Sequence, residues 1–387
     1  MNCTTMLRAT VLAVLVLTSS VNAAQSHGPS ACWVYIGTYT GGDSEGIYLL
    51  RLDAETGHIE NLGLAGAVEN PSFLALHPEE PFLYSVGNGT DAAGERKGLA
   101  SAFTIHPDTG MLTLQNQESA VGDGPCHVTV DRAGRHILVA NYGSGSVAVL
   151  QISQDGNLGE ATTHIQHEGA SVHPSRQQRP YAHAVNMDES GRYAYVSDLG
   201  IDKIMIYRYD HSLGTLTANE PPFVDLAPGA GPRHFAFNPV ERYAYSVNEL
   251  DNTVTAFRYE PETGALASFQ TITTLPAGFD GENTTAEIRV HPSGRFVYAS
   301  NRGHDSIAMF AVDSETGRLT SRGQIPTQGK TPRNFNITPD GRFLLAANQA
   351  TNNVVVFRID QEIGLLKETG HLVEVPTPVC VLFAPAP

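Results

Sequence analysis

Cysteine, tryptophan and basic residues are all scarce in this chain. Its 387 residues include four cysteines, one tryptophan, and 24 Lys and Arg against 40 Asp and Glu, for a formal net charge of −16. Such a balance repels nucleic acid and anionic membranes, so neither is expected as a partner. Beyond the N-terminal leader only Cys32, Cys126 and Cys380 remain, an odd number that excludes complete internal pairing. Cys32 and Cys380 fall on strands expected to be neighbours. Cys380 opens a first strand, however, and Cys32 begins a second, at the far end of the hairpin, so no disulfide is expected between them. His-Glu-x-x-His, Cys-x-x-Cys, a phosphate loop and a Gly-x-Ser-x-Gly elbow are all missing, and no metal or cofactor is expected. Helical periodicity is absent after the leader, which leaves the all-β class.

The leader is legible as a signal peptide over residues 1–23. Arg8 precedes the apolar run Val11-Leu12-Ala13-Val14-Leu15-Val16-Leu17, and Val21-Asn22-Ala23 resembles a cleavage site. The run is too short to span a bilayer comfortably, and Cys3 precedes it, the wrong place for a lipid-bearing cysteine. A soluble periplasmic or secreted product is expected.

What the chain has in abundance is repetition. Asp131-Arg132-Ala133-Gly134-Arg135, Asp188-Glu189-Ser190-Gly191-Arg192, Pro292-Ser293-Gly294-Arg295 and Pro339-Asp340-Gly341-Arg342 are copies of one turn between two short apolar strands. Glu55-Thr56-Gly57, Asp108-Thr109-Gly110, Glu262-Thr263-Gly264 and Glu315-Thr316-Gly317 mark a later turn in the same unit. A repeat of roughly 50 residues built from four strands is the period of a propeller blade. The tail Pro378-Val379-Cys380-Val381 matches a first strand, and Trp33-Val34-Tyr35-Ile36 matches a second. One blade is therefore expected to be stitched from both termini, which removes the open sheet edge. The expected architecture is a seven-bladed β-propeller of four-stranded antiparallel blades, one domain over residues 32–387, and monomeric.

In an antiparallel pair, the start of the first strand and the end of the second share one edge. Aligning the copies on the turn arginine collects Cys126-His127, His183-Ala184, Arg233-His234, Ala286-Glu287 and Arg333-Asn334 from first strands. The matching ends of second strands give Asn141-Tyr142, Asp198-Leu199, Asn248-Glu249, Asn301-Arg302 and Asn348-Gln349. This concentrates ionisable side chains at one mouth of the central channel, as a polar active site requires. The recurrent Asn or Asp is assigned to turn structure, and the variable residue after it to function. His183, Arg233, Glu249 and Arg302 are the expected catalytic set. His127, His234, Glu287 and Arg333 suit substrate contact or structure equally, and nothing activates Cys126 as a nucleophile. The stretch Ser171-Val172-His173-Pro174-Ser175-Arg176-Gln177-Gln178-Arg179-Pro180 runs into the strand of His183, so it is expected to overhang the mouth. It is either a lid that offers Arg176 to substrate or a solvated loop.

Several of these segments carry a family resemblance. Gly124-Pro125-Cys126-His127, Asn141-Tyr142-Gly143-Ser144-Gly145-Ser146, Gly231-Pro232-Arg233-His234, Asn248-Glu249-Leu250, Asn301-Arg302-Gly303-His304-Asp305-Ser306 and Pro332-Arg333-Asn334-Phe335 resemble those of the seven-bladed propeller lactonases. That family includes bacterial 6-phosphogluconolactonases and is similar to fungal carboxy-muconate lactonizing enzymes. The resemblance spans the mature chain and implies a site of His183, Arg233, Arg302 and Glu249. Tyr181 stands where the family often has a further His. The implied activity is hydrolysis of a small anionic lactone of a sugar or sugar acid, in which a His base activates water and arginines hold the oxyanion. A muconate-type cycloisomerase and a non-catalytic binding propeller are the competing readings.

Overall fold

Alternating apolar runs bounded by Gly, Asn and Asp turns produce twenty-eight strands, arranged as seven four-stranded antiparallel sheets. The computed structural model describes Met1 and residues 31–90, 94–240 and 242–386. Apart from Met1, the signal peptide expected over residues 1–23 lies outside the described residues.

Blade 1 is the stitched one: Pro378–Pro385 is its innermost strand, followed outward by Ala31–Thr38, Gly46–Asp53 and Ile59–Ala67. Blades 2 to 7 occupy residues 73–119, 125–166, 182–225, 232–273, 284–326 and 332–374. The innermost strands of successive blades touch in a closed circuit around the channel. In the stitched blade Cys32 lies opposite Pro385, whereas Cys380 lies opposite Gly37. The two thiols are thus held apart along the ladder, and both cysteines are free.

Burial grades outward through each blade. Second strands such as Tyr193–Asp198, Tyr243–Asn248 and Phe343–Asn348 are buried at every residue, because each is covered on both faces by adjacent blades. Fourth strands such as Leu158–Gln166 alternate, with one face towards water.

Neighbouring blades are locked by a repeated tyrosine. The hydroxyls of Tyr35, Tyr84, Tyr195, Tyr245 and Tyr298 donate to the carbonyls of Gly110, Gly156, Gly264, Gly317 and Gly364, each in the outer turn of the next blade, at 2.7–3.1 Å. Those turns need glycine for two reasons. At Gly264 φ is +72°, and a Cβ would come within 2.5 Å of the Tyr193 ring. Gly264→Ala is therefore expected to cost about 2–5 kcal/mol through backbone strain and overpacking. Tyr195→Phe, which removes one hydrogen bond, is expected to cost about 1 kcal/mol. Chemical denaturation of the two variants measures the contrast.

Candidate active site

A skipped residue in the innermost strands builds the site. In blade 4, Ala182 pairs with Asp198 and Ala184 with Ser197, which leaves His183 out of the ladder. The same skip frees Cys126 in blade 3, Arg233 in blade 5 and Arg333 in blade 7. In blade 6 it frees Ala286 and Glu287 together, opposite Ser300. Such bulges re-aim side chains that regular pleating would send elsewhere, and here they let consecutive residues serve the channel.

The result is a cavity of about 640 Å³ at one mouth, to whose wall every blade contributes. Glu249, at the end of a second strand, is its electrostatic hub. Its Oε2 lies 2.9 Å from Arg233 Nε and 2.9 Å from Arg302 Nη2, and its Oε1 accepts from Arg176 Nη2 at 2.5 Å. Main-chain acceptors fix two of these guanidinium groups further: Arg233 Nη1 donates to the Ala286 carbonyl at 2.6 Å and Arg302 Nη2 to the Thr285 carbonyl at 2.8 Å. The Nε atoms of Arg233 and Arg302 are buried without a well-aligned hydrogen bond, so the contact of Arg233 Nε with Glu249 is an ion pair by proximity. Arg176 also donates to the Tyr142 hydroxyl at 3.3 Å. The stretch before His183 thus overhangs the mouth and delivers Arg176 into it.

Burial would raise the Glu249 pKa, but Arg302, Arg233 and Arg176 overcome it and hold the carboxyl at about 2. Glu249 is a fixed anion at neutral pH. Burial, Arg233, His234 and Arg333 push His183 well below its usual value, so its imidazole is uncharged at neutral pH. Its Nδ1 lies 3.7 Å from the Cys126 sulfur, and its ring meets the edge of Tyr142 at 5.2 Å between centroids. Cys126 lines the cavity, but burial raises its thiol to about 12. It is protonated at neutral pH and is no nucleophile at rest.

The expected residues thus divide into two groups. His183, Glu249, Arg302, Arg176 and Arg333 line the cavity, and Arg233 joins them through Glu249. His127, His234 and Glu287, offered above for substrate contact or structure, do not line it. They form a buried layer beneath it: His234 Nδ1 lies 2.9 Å from Glu287 Oε1, and the His127 ring packs at a tilt on Phe73 with centroids 4.1 Å apart. Burial lowers both His127 and His234, the latter to about 4. Burial opposes ionisation of Glu287, but Arg289 and His234 outweigh it and bring the carboxyl to about 2. The recurrent Asn residues brace turns: Asn141 donates to the Ala120 carbonyl, Asn301 to that of Thr274 and Asn348 to that of Thr327. Tyr181 packs at a tilt against Tyr142, with ring centroids 4.8 Å apart.

Tyr39 was not singled out by the sequence, yet it lines the cavity with the guanidinium of Arg333 above its ring at 5.5 Å. Its position is equivalent to that of Tyr142, because Thr38 pairs with Pro378 as Asn141 pairs with Pro125. The stitched blade lacks the turn arginine on which the repeats align, which hid the equivalence. Extending the alignment through the paired termini would have exposed it. Arg96, at the exposed start of the long strand Arg96–Ile105, also lines the cavity.

Comparison with known proteins gives a consistent result. The family model for lactonases with a seven-bladed β-propeller matches residues 33–383. A 6-phosphogluconolactonase of Bacillus subtilis (strain 168) is 40% identical over 301 residues, 78% of this chain and 83% of its own length. One from Formosa agariphila is 31% identical over 309 residues, 79% of this chain and 86% of its own. Among solved structures, a periplasmic gluconolactonase from Pseudomonas aeruginosa superposes with a TM-score of 0.87 at 35% identity, covering 92% of this chain and all of the other.

Proposed function

The chain belongs to the seven-bladed β-propeller lactonases and is a carboxylic ester hydrolase of that kind, and we propose that it opens the lactone ring of an anionic sugar acid at the mouth built around Glu249. The observation that carries this reading is the clasp of Arg176, Arg233 and Arg302 on one buried carboxylate, beside a neutral His183. Positive groups already fixed by Glu249 and by main-chain carbonyls need little reorganisation when negative charge develops on a bound carbonyl oxygen.

In the proposed reaction His183 takes a proton from water as the water oxygen attacks the lactone carbonyl carbon. The oxyanion forms against Arg302, with the buried Arg233 holding Glu249 and adding positive charge behind it. Collapse of the tetrahedral intermediate breaks the ring C–O bond, and the departing alkoxide takes the proton back from His183, leaving a hydroxy acid that ionises to solvent. Burial and the nearby arginines disfavour the imidazolium, so the proton is held only between the two steps. Glu249 orients the guanidinium groups and takes no proton.

Arg333 supports the anionic character of the substrate. It lines the cavity, and among the described residues no carboxylate pairs with it. A free guanidinium suits a carboxylate or phosphate distant from the reacting ester. Turnover of 6-phosphogluconolactone and of gluconolactone by the wild type and by Arg333→Ala tests this. The variant is expected to raise KM for the charged lactone about tenfold, with the neutral one changed less than about threefold. Equal effects on both would remove Arg333 from anion recognition. Export to the periplasm or beyond is part of the proposal. It is supported by the leader of residues 1–23 and by the periplasmic description of the Pseudomonas relative.

A further inference from the structure

Between the second and third strands of four blades the turn contains a residue with positive φ, Asp202, Asn252, Asp305 or Asn352, at 52–59°. Asp and Asn tolerate this region because their short polar side chains bond locally. In two of these turns the side chain has a plain architectural task. Asp305 Oδ1 accepts from the Thr331 amide at 2.8 Å, and Asn352 Oδ1 from the Thr377 amide at 2.8 Å. Each therefore tethers the segment that enters the innermost strand of the next blade.

Asp202 does the same and more. Oδ1 and Oδ2 accept from the amides of Gly231 and Gly229, both at 2.7 Å, on the segment entering the strand of Arg233. Its two further bonds have no counterpart at Asp305 or Asn352. Oδ2 accepts from Ser171 Oγ at 2.5 Å and Oδ1 from Gln177 Nε2 at 2.7 Å. Ser171 and Gln177 bracket Arg176. Gln177 is fully buried, its Nε2 also donates to the Leu199 carbonyl at 2.9 Å, and its Oε1 accepts from the His173 amide at 3.0 Å. The Gly229–Gly231 segment is equally constrained. The Gly231 carbonyl accepts from the Glu249 amide at 2.8 Å, and a Cβ on Gly231 would fall 2.6 Å from Leu250.

We infer that Asp202 is a positioning residue that pins the overhanging loop and the entry to blade 5 to one carboxylate, thereby fixing Arg176 and Arg233 on opposite sides of Glu249. The architectural tether accounts for the bonds to Gly229 and Gly231. The bonds to Ser171 and Gln177 are surplus to it, and what they hold is the segment that carries Arg176 into the site. Glu249 alone does not specify this geometry, because a single carboxylate can accept an arginine from several directions. A rigid pin behind each arginine leaves one arrangement.

The kinetic part of this inference rests on the lactone-hydrolysis reading, so the test has a second readout. In the full chain, Gln177→Ala is expected to raise KM about tenfold with kcat within about threefold, since it releases Arg176 and leaves Arg233 in place. Asp202→Asn retains one acceptor oxygen but turns an amide towards the Gly229 N–H, so it is expected to lower kcat as well. In an Arg176→Ala background the KM effect of Gln177→Ala should shrink to less than about twofold, because the residue it positions is gone. Trypsin provides the readout that needs no substrate. The Arg176–Gln177 bond should resist cleavage in the wild type and be cut in both Gln177→Ala and Asp202→Asn. KM effects that persist undiminished without Arg176, or lowered thermal stability with KM and cleavage unchanged, would reduce Asp202 to a purely architectural role. If the wild type opened no lactone, the functional reading would fail, and the trypsin pattern would still decide whether the pin exists.

Discussion

Glu249→Ala is expected to reduce kcat/KM by about 10³-fold or more and to destabilise the fold by about 3–5 kcal/mol, the usual consequence of removing one partner from a buried ionic cluster. The reason lies in what remains. Arg233 is 2% exposed and Arg302 and Arg176 stand beside it, so without the carboxylate three cations face one another around an empty space. The substrate oxyanion replaces Glu249 only fleetingly, and the arginines would no longer be preorganised for it. Glu249→Gln preserves the volume and separates the two contributions. Its folding loss should be smaller, but the activity loss should stay close to that of the alanine variant, because an amide cannot accept from three guanidinium groups with the same strength. Urea unfolding beside steady-state kinetics measures both. A Glu249→Gln enzyme with wild-type kcat would show that the clasp is a packing device.

His183→Ala is expected to behave in the opposite way, with kcat down about 10²–10⁴-fold and thermal unfolding nearly unchanged. His183 is buried, yet its polar contact is a long one to the Cys126 sulfur, so its removal breaks little that holds the blade. The pH profile gives an independent check. The base must be neutral, and burial with Arg233, His234 and Arg333 displaces its pKa well below the ordinary histidine value. Protonation therefore begins only at acidity beyond about pH 6.5, and kcat/KM should stay level from neutrality down through that value before it falls. An acid limb centred at or above 6.5 would point to another base. The same shift has a stability consequence: the unfolded chain takes up a proton at His183 before the folded one does. That contribution to stability is complete above about pH 6.5 and is lost as pH falls towards the folded pKa. His183→Ala should be correspondingly less sensitive to mild acid.

The blade repeat, the stitched closure and the mouth at which the ionisable side chains gather were all legible from turn spacing and strand alternation. Which of two adjacent residues reaches the cavity was not. In a regular strand neighbours point to opposite faces, and only the skipped residue at Cys126, His183 and Arg333 separates a cavity-facing side chain from its deeper neighbour. A bulge leaves little trace in composition. His127 and His234 are ionisable residues one position beyond the skip, and Glu287 shares the wider skip of blade 6 with Ala286, so sequence alone does not separate them from the cavity lining. Arg176 was legible as part of an overhanging loop, but the three-arginine clasp was not, since it joins blade 6 and an insertion to blade 5 through one carboxylate. Tyr39 was hidden because its blade has no turn arginine to align. The free thiols of Cys32 and Cys380 followed from register alone.

The measurement closest to the central claim is ring opening of 6-phosphogluconolactone, gluconolactone and a muconolactone by the chain lacking residues 1–23, with Arg233→Ala alongside and each rate corrected for spontaneous hydrolysis. The account predicts turnover of at least one sugar-acid lactone by the wild type and near-complete loss in Arg233→Ala. Wild-type rates indistinguishable from spontaneous opening on the sugar-acid lactones, or turnover that Arg233→Ala leaves intact, would contradict it.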